Sequence, residues 1–284
     1  MILIADSGSS KTDWVLWDTK TKQSSNYKSI GLNPFFIDST KVEETIKSLF
    51  SAQVLKAIKK VFFYGAGCGN DKSQNTIKRG IESACTEAQI EVSPDLLAAA
   101  RALCGHEAGI VCLLGTGSNS CVYDGEHIVE RSVSFGYAMG DEGSGNHMGR
   151  QLLKSIFTKN VPDNILEAFI QEYPQLDLPQ LLNQLYHSPS PNKFLAGFSL
   201  FIKKHSYDPF IKNLIDDSFD QFCDFFIFDF VKKYDYPTYF LGSIAWNYKK
   251  ELTNRLKKHQ IKYAKIIQHP IEALLTYHKN NLIK

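Results

Sequence analysis

Two segments of the chain, residues 2–18 and residues 110–124, share one pattern of residue types. Each has an apolar run, a turn of glycine and small hydroxyl residues, and a second apolar run. A turn without large side chains lets backbone N–H groups approach an anion closely. The pattern predicts two β-hairpins whose tips bind the phosphates of one nucleotide in a cleft between two domains.

The candidate phosphate-binding residues lie in these two turns. They are Gly8, Ser9, Ser10, Lys11 and Thr12 in the first turn, and Gly115, Thr116, Gly117 and Ser118 in the second. Each turn could instead be only a hairpin connection. The end of the first turn resembles a Walker A loop, but Ser10 stands where that motif needs its second glycine, so a P-loop is rejected.

Three carboxylates stand at places where a chain can present them to a ligand. Asp6 ends the first strand, Asp95 follows a short strand and a proline, and Asp141 lies in a Gly-Asp-Glu-Gly turn before a helix. Aspartate is also a good helix N-cap residue, and this alternative applies to both Asp95 and Asp141.

The elements that must position these residues alternate between strands and helices. This order predicts an α/β fold with parallel or mixed sheets. Because the strand–turn–strand pattern restarts after residue 105, we predict two domains, residues 1–107 and residues 108–284, each opening with a phosphate hairpin. A chain of 284 residues with 43% hydrophobic content can give each domain its own core.

Composition excludes several classes of function. The net charge is +2 and the basic residues are scattered, which argues against nucleic acid as a partner. The Phe-rich segment 219–231 is interrupted by aspartates, so a buried amphipathic helix is expected and no membrane partner. The start of the chain lacks a signal-peptide pattern, and a cytoplasmic location is expected. Six cysteines without ligand spacing predict buried reduced thiols and no structural zinc.

Five motifs in order resemble the N-acetylglucosamine kinase family. They are Asp-x-Gly-x-x-Lys-Thr at 6–12, Gly-Leu-Asn-Pro at 31–34, Gly-Thr-Gly-Ser-Asn at 115–119, Met-Gly-Asp-Glu-Gly-Ser at 139–144 and Leu-Gly-Ser at 241–243. That family is grouped with benzoyl-CoA reductase-type ATPases in the actin, hexokinase and heat-shock ATPase superfamily. The resemblance implies two ribonuclease-H-like (actin-like ATPase) domains flanking an ATP cleft.

The resemblance also implies roles for individual residues, with ATP and Mg²⁺ as cofactors. Asp6 would hold Mg²⁺, and Asp95 would be the general base and touch the substrate. The other substrate-binding residues would be Asn33, Thr116, Asn119 and Asp141, and the adenosine site would include Gly242 and Ser243. Asn33 could instead form an Asx turn, and Gly242 with Ser243 an ordinary strand–helix loop.

The function implied is an ATP-dependent kinase that phosphorylates the 6-hydroxyl of an N-acetylated amino sugar. N-acetylglucosamine is the leading substrate, and N-acetylmuramic acid is the rival. Another alternative is an ATPase activator of the 2-hydroxyacyl-CoA dehydratase or benzoyl-CoA reductase type, although the cysteine that would hold its iron–sulfur cluster is absent near residue 139. A third alternative is a sugar sensor that keeps the fold without turnover.

Residues 269–274 depart from the family pattern, which leaves the packing of the last helix open. A homodimer is compatible with the sequence, which does not decide the oligomeric state.

Overall fold

A computed structural model describes residues 1–8 and 11–282 of the chain. These residues form ten strands and fifteen helices in the described ranges. The strands are β1 (Ile2–Ser7), β2 (Lys11–Trp17), β3 (Ser24–Ile30), β4 (Lys60–Gly65), β5 (Gln89–Pro94), β6 (Gly109–Leu114), β7 (Ser118–Tyr123), β8 (Ile128–Arg131), β9 (Thr238–Leu241) and β10 (Tyr263–Ile267). The helices are α1 (Ser39–Leu49), α2 (Ala52–Ala57), α3 (Asp71–Ala84), α4 (Asp95–Cys104), α5 (Gly136–Met139), α6 (Gly145–Phe157), α7 (Asp163–Glu172), α8 (Leu178–His187), α9 (Pro191–Gly197), α10 (Ser199–Lys204), α11 (Pro209–Phe226), α12 (Phe228–Lys233), α13 (Ser243–Asn247), α14 (Lys249–Lys258) and α15 (Ile271–Leu282).

The chain forms two compact units. The first contains Met1–His106 and the segment from Pro270 onward, and the second contains Glu107–His269. The first division falls after His106, one residue before the predicted boundary, and α15 belongs to the first unit instead of ending the second. Leu274, Leu275 and His278 of this helix are buried, which ties the end of the chain to the first unit.

The first unit has a five-stranded sheet in the order β3-β2-β1-β4-β5. Strands β1, β2 and β3 pair antiparallel, whereas β1, β4 and β5 pair parallel. Strand β1 is central and apolar on both faces, so helices can cover both of its sides. Strand β3 was missed by the sequence analysis because its sequence, Ser-Ser-Asn-Tyr-Lys-Ser-Ile, is polar and lies at an exposed edge of the sheet.

The second unit has a five-stranded sheet in the order β10-β9-β6-β7-β8. Strands β6, β7 and β8 pair antiparallel, and β6, β9 and β10 pair parallel, as in the first unit. Helices α7–α12 are inserted between α6 and β9, and they enclose an aromatic core with several buried phenylalanines. The α/β class and the two mixed sheets are confirmed.

Local differences from the predicted elements have local causes. The length and periodicity of residues 38–60 predict a single helix, but the structure has two helices there. The side chain of Ser51 accepts a hydrogen bond from the N–H of Val54 and starts α2 as a separate helix. The Phe-rich segment is divided between α11 and α12. Among the described residues, no helix combines the length and apolar character needed to cross a membrane.

Candidate active site

Asp6 and Asp95 lie at the same edge of the first sheet. The parallel registers place Ser7 beside Gly65 and Gly65 beside Pro94, so the carboxyl ends of β1, β4 and β5 are level. This edge is where ligands bind in open α/β sheets. The charge of Asp95 acts on Asp6, so the structure brings together the two carboxylates that the sequence analysis selected.

The pKa of Asp6 is raised to about 7. Burial is the largest cause, and the carboxylates of Asp95 and Asp13 raise the pKa further, while Lys11 lowers it. The Lys11 ammonium is itself 2.7 Å from Asp13 Oδ2. A desolvated carboxylate beside other carboxylates gains from a divalent cation, so the residues fit Mg²⁺.

The protein offers few side-chain ligands for Mg²⁺ near Asp6, so most of the ion's ligands would be waters and phosphate oxygens. Within the described ranges, no group of three or more His, Cys, Asp or Glu side chains could hold a metal ion. Mg²⁺ commonly uses one or two carboxylates and completes its octahedron with waters and substrate phosphates. Asp6 therefore suits a Mg²⁺ that arrives with a nucleotide better than a resident metal ion.

The first turn is closed by the N–H of Gly8, which donates to the carbonyl of Lys11 at 3.0 Å. Thr12 is fully buried, and its hydroxyl donates to the carbonyl of Ile30. Ser7 accepts from the N–H of Leu32 and bonds the Thr12 hydroxyl. The side chain of Thr12 thus braces the hairpin from within. Of the predicted phosphate-binding residues, Ser9 and Ser10 lie outside the described residues.

Asp95 is the first residue of α4, and Pro94 is the N-cap residue. Asp95 Oδ1 accepts a hydrogen bond from the N–H of Leu96 at 2.9 Å. Asp95 also raises the pKa of the buried Cys68 thiol, although burial is the larger cause there. Asp95 is therefore not the N-cap residue of α4, because Pro94 has that position. The Asp95 carboxylate is half-buried at the carboxyl ends of the strands.

Asn33 forms an Asx turn, which was the alternative to a substrate-binding role in the sequence analysis. Its Oδ1 accepts from the N–H of Phe35 at 3.0 Å. Gly67, with a φ of +83°, packs against this amide so closely that a Cβ there would lie 2.5 Å from Asn33 Oδ1. The side chain of Asn33 is therefore held in one orientation by its own turn and by a glycine of the loop after β4.

In the second unit, Asp141 is fixed beside the second turn by a hydrogen-bond network. Its carboxylate accepts from Asn146 Nδ2 at 2.8 Å and from the N–H of Ser118 at 3.3 Å. Asp141 has a φ of +60°, and a Cβ at Gly117 would lie 2.9 Å from its Oδ2. Burial raises the pKa of Asp141, and the two hydrogen bonds oppose that shift. The N-cap residue of α6 is Ser144, not Asp141.

Asn146 is a site residue that the sequence analysis missed. Its Nδ2 donates to Asp141 and also to the carbonyl of Thr116 at 2.6 Å, so it links two of the predicted substrate-binding residues. Its Oδ1 and the hydroxyl of Ser118 are buried without a hydrogen-bond partner among the described residues. Such buried polar atoms without partners suit a polar ligand. In the sequence, the one feature that could have identified Asn146 is its position in the first turn of the predicted helix, five residues after Asp141.

Asn119 lies on β7 and is held from the neighbouring strand. Its Oδ1 accepts from the hydroxyl of Ser132 at 3.1 Å. Gly242 has a φ of +130°, and a Cβ there would lie 2.3 Å from the carbonyl oxygen of Leu114, so only glycine fits. Ser243 starts α13 and is exposed. Residues 242–243 thus pass close to the end of β6, which carries the second turn.

Comparison with solved structures decides the family. A candidate N-acetylglucosamine kinase from Porphyromonas gingivalis shares 39% sequence identity with this chain, covers 99% of each chain and superposes with a TM-score of 0.92. The chain belongs to the N-acetylglucosamine kinase family. It is therefore a kinase with the actin-like ATPase fold, as the five motifs implied.

More distant structures share the fold. A candidate N-acetylglucosamine kinase from Chromobacterium violaceum has a TM-score of 0.71 at 14% identity, with 97% of this chain and 98% of that chain covered. A ROK family glucokinase from Streptomyces griseus, solved with glucose and AMPPNP, has a TM-score of 0.54 at 16% identity, with 95% and 94% covered. No protein-family model matches the sequence, and a search of curated proteins also finds no match.

Membership in the N-acetylglucosamine kinase family removes support from the activator alternative. All six cysteines are free and buried. The pKa of Cys104 is raised to about 12 by burial, and the pKa of Cys85 to about 11 for the same reason, so these thiols resist the ionisation that metal ligation requires. None of the six lies in the turn that carries Asp141.

Proposed function

We propose that the protein transfers the γ-phosphate of ATP to the 6-hydroxyl of an N-acetylated amino sugar, with N-acetylglucosamine as the substrate. The observation that carries this proposal is the placement of Asp95 beside Asp6 at the carboxyl ends of β1, β4 and β5. The family relationship at 39% identity over nearly the whole chain supports the same reaction.

In the proposed reaction Asp95 is the general base. Phosphoryl transfer needs an acceptor hydroxyl that is positioned and relieved of its proton. The Asp95 carboxylate takes the proton of the 6-hydroxyl as that oxygen attacks the γ-phosphorus. The bond between the γ-phosphorus and the β–γ bridging oxygen breaks, and ADP leaves. Asp6 would hold Mg²⁺, which neutralises phosphate charge when bound.

The sugar contacts are proposed from groups that can donate or accept at hydroxyls and at an acetamide. Asp141 accepts hydrogen bonds from sugar hydroxyls, because its carboxylate has lone pairs beyond those used by Asn146 and Ser118. Asn33 and Asn119 are held by their own turns and strands, so their amides are oriented before the sugar binds. Thr116 completes this proposed set.

The phosphate contacts are proposed from the two turns. In the first turn these residues are Gly8, Ser9, Ser10 and Lys11, with Thr12 bracing the hairpin. In the second turn they are Gly115, Thr116, Gly117 and Ser118. The Ser118 hydroxyl has no hydrogen-bond partner in residues 1–8 and 11–282. This supports the assignment, since a phosphate oxygen could donate to or accept from that hydroxyl. Gly242 and Ser243 are proposed for the adenosine.

The decisive experiment is a coupled assay of ADP release with Mg·ATP and a panel of acceptors: N-acetylglucosamine, N-acetylmuramic acid, N-acetylmannosamine, glucose and no sugar. The proposal expects the highest kcat/KM with N-acetylglucosamine. ADP release without sugar should be slow, because closure over a bound sugar is what assembles the site and excludes water. Highest kcat/KM with N-acetylmuramic acid would move the substrate to the rival sugar. Fast ADP release without any sugar would refute the kinase assignment.

A further inference from the structure

The residues on the two sides of Asp141 differ sharply in burial. Residues 133–139 are exposed except for Gly136, which is half-buried, whereas residues 140–149 are buried except for Glu142. No residue of α5, all of which the structure describes, is buried within the chain. Side-chain packing therefore does little to fix the main chain that leads into Asp141, and hydrogen bonds to its carbonyls take that role.

Arg150 of α6 supplies these hydrogen bonds. Its guanidinium donates to the carbonyl oxygens of Tyr137, of Ala138 at 3.0 Å and of Gly140 at 3.2 Å. The last carbonyls of a helix have no partner within that helix, and arginine suits them because its planar group offers five N–H donors. Arg150 therefore caps α5 and holds the main chain up to the residue before Asp141.

The carbonyl of Gly140 affects the conformation of Asp141 directly. This carbonyl shares a peptide plane with the N–H of Asp141, so a donor that fixes it restricts the rotation that sets φ of Asp141. That angle is +60°, in the left-handed region. For a residue other than glycine this conformation costs free energy and persists only where the surrounding structure holds it. Arg150 is one of the side chains that hold it.

The other supports of this turn come from the same helix. The side chain of Asn146 donates to the Asp141 carboxylate, and the ring of His147 accepts from the N–H of Gly143 at 3.3 Å. The charge of Arg150 also reaches Asp141, because burial raises the pKa of this carboxyl and Arg150 is among the groups that lower it. The first two turns of α6 thus hold the main chain on both sides of Asp141 and the carboxylate itself.

We propose that Arg150 is a positioning residue for the sugar site: by holding the α5 turn it fixes the orientation in which Asp141 meets the sugar hydroxyls. The ligand is the sugar of the proposed function, on which this assignment rests, whereas the effect on the main chain follows from the hydrogen bonds alone. Arg150 acts through Asp141 and not on the reacting atoms. Its loss should therefore weaken binding of the sugar more than it slows phosphoryl transfer.

The first test compares Arg150→Ala with the wild-type protein in the ADP-release assay. The KM for N-acetylglucosamine should rise by up to about 100-fold, because a misplacement of about 1 Å can cost that factor. The KM for ATP, and kcat at saturating sugar, should change much less. Lys154→Ala is the matched control, because Lys154 carries the same charge on the same helix and is exposed, and this variant should keep the wild-type KM values.

Two further measurements separate orientation from charge and from general stability. Arg150→Lys keeps the charge but lacks the planar group that bonds three carbonyls, so its KM for the sugar should rise as in Arg150→Ala. Guanidinium added at millimolar concentration should lower the sugar KM of Arg150→Ala toward the wild-type value. A wild-type KM in Arg150→Lys would assign the effect to charge and refute positioning by these hydrogen bonds.

Hydrogen exchange of the peptide that spans residues 136–143 tests the same assignment without any substrate. In Arg150→Ala the N–H groups of Gly140 and Gly143 should exchange faster than in the wild-type protein, while those of β6 should keep their rates. Unchanged exchange, or an unchanged sugar KM in a variant that circular dichroism shows to be folded, would overturn the assignment. A wild-type protein that phosphorylates no sugar would instead refute the proposed function, and the exchange rates would still decide the role of Arg150.

Discussion

The two units present their carboxylates in opposite ways. In the first unit, Asp6 is half-buried, and desolvation together with the carboxylates of Asp95 and Asp13 raises its pKa to about 7. In the second unit, Asp141 receives hydrogen bonds from Asn146 and Ser118 that oppose the effect of burial on its pKa. The first arrangement stabilises a carboxylate only when a cation arrives, whereas the second holds an acceptor ready for hydroxyl groups.

The largest effect is expected at Asp95, the partner of Asp6 in the first arrangement. Asp95→Asn removes the proton acceptor and keeps the size of the side chain. The turnover number kcat should fall on the order of 10²- to 10⁴-fold, because general base catalysis contributes roughly that factor. The ADP-release assay measures kcat, and a nucleotide-binding titration is the control, in which the affinity for ATP should change little. Unchanged turnover would show that Asp95 is not the base.

At Asp6 itself, stability and activity should move in opposite directions. A folded-state pKa raised from 3.8 to about 7 means that the unfolded chain loses this proton first as pH rises. The contribution of Asp6 to stability is therefore full below pH 3.8 and is lost progressively up to about pH 7. Asp6→Asn should raise the metal-free free energy of unfolding by on the order of 1–3 kcal/mol at pH 8 and abolish kinase activity.

Urea unfolding of the wild-type protein and Asp6→Asn, at pH 4 and at pH 8 without metal, checks this expectation. The difference in stability between the two proteins should be small at pH 4 and large at pH 8. Asp235→Asn is a suitable control, because Asp235 is exposed in the loop before β9 and lies outside the site. If Asp6→Asn is less stable than the wild-type protein at pH 8, the ionised Asp6 carboxylate does not destabilise the metal-free folded protein, and the expectation is wrong.

A smaller effect is expected from loosening the network of the second unit. Asn146→Ala removes one donor to Asp141 and the link to Thr116. The KM for the sugar should rise by about one to two orders of magnitude, since a lost hydrogen bond to a charged group is worth about 1.5–3 kcal/mol. The KM for ATP should change much less. Equal changes in the two KM values would show that Asn146 serves general stability and not the sugar.

The sequence predicted the structure best where hydrophobic periodicity and glycine turns determine the local backbone geometry. The two hairpins, the short strand before Asp95 and the helix after the Gly-Asp-Glu-Gly turn are all visible as changes of periodicity and as glycine turns. Strand β3 was missed because edge strands need no apolar alternation. The break between α1 and α2 was missed because one serine side chain decides it.

Within the site, sequence identified residues but not their partners. Asp141 was selected, yet Asn146 was not, because a hydrogen bond between a loop and the next helix depends on a positive φ at Asp141 that no local pattern indicates. Thr12 was expected to face a phosphate, but its hydroxyl is committed to Ile30 by the way β2 and β3 meet. The departure at residues 269–274 left α15 open, and contacts distant in sequence decide its packing.

Those contacts give the smallest of the expected effects. His278 of α15 bonds the Tyr64 hydroxyl at 2.9 Å and stacks on Phe62, and burial lowers its pKa to about 3. Because the unfolded chain binds this proton below pH 6.5 and the folded protein does not, the contribution of His278 to stability is full above pH 6.5. It declines as the pH falls from 6.5 toward about 3.

Replacing His278 tests whether this buried contact makes the first unit acid-sensitive. His278→Phe keeps the ring stack but loses the hydrogen bond, so it should cost about 1 kcal/mol at pH 8. Between pH 6.5 and pH 4.5 its melting temperature should fall less than that of the wild-type protein, since one proton-binding group has been removed from the unfolded chain. The exposed His187, changed to Phe, should leave the pH dependence as it is. If both variants follow the wild-type curve, the acid sensitivity lies elsewhere, and His147 of the second unit, whose pKa burial lowers to about 4, becomes the group to change next.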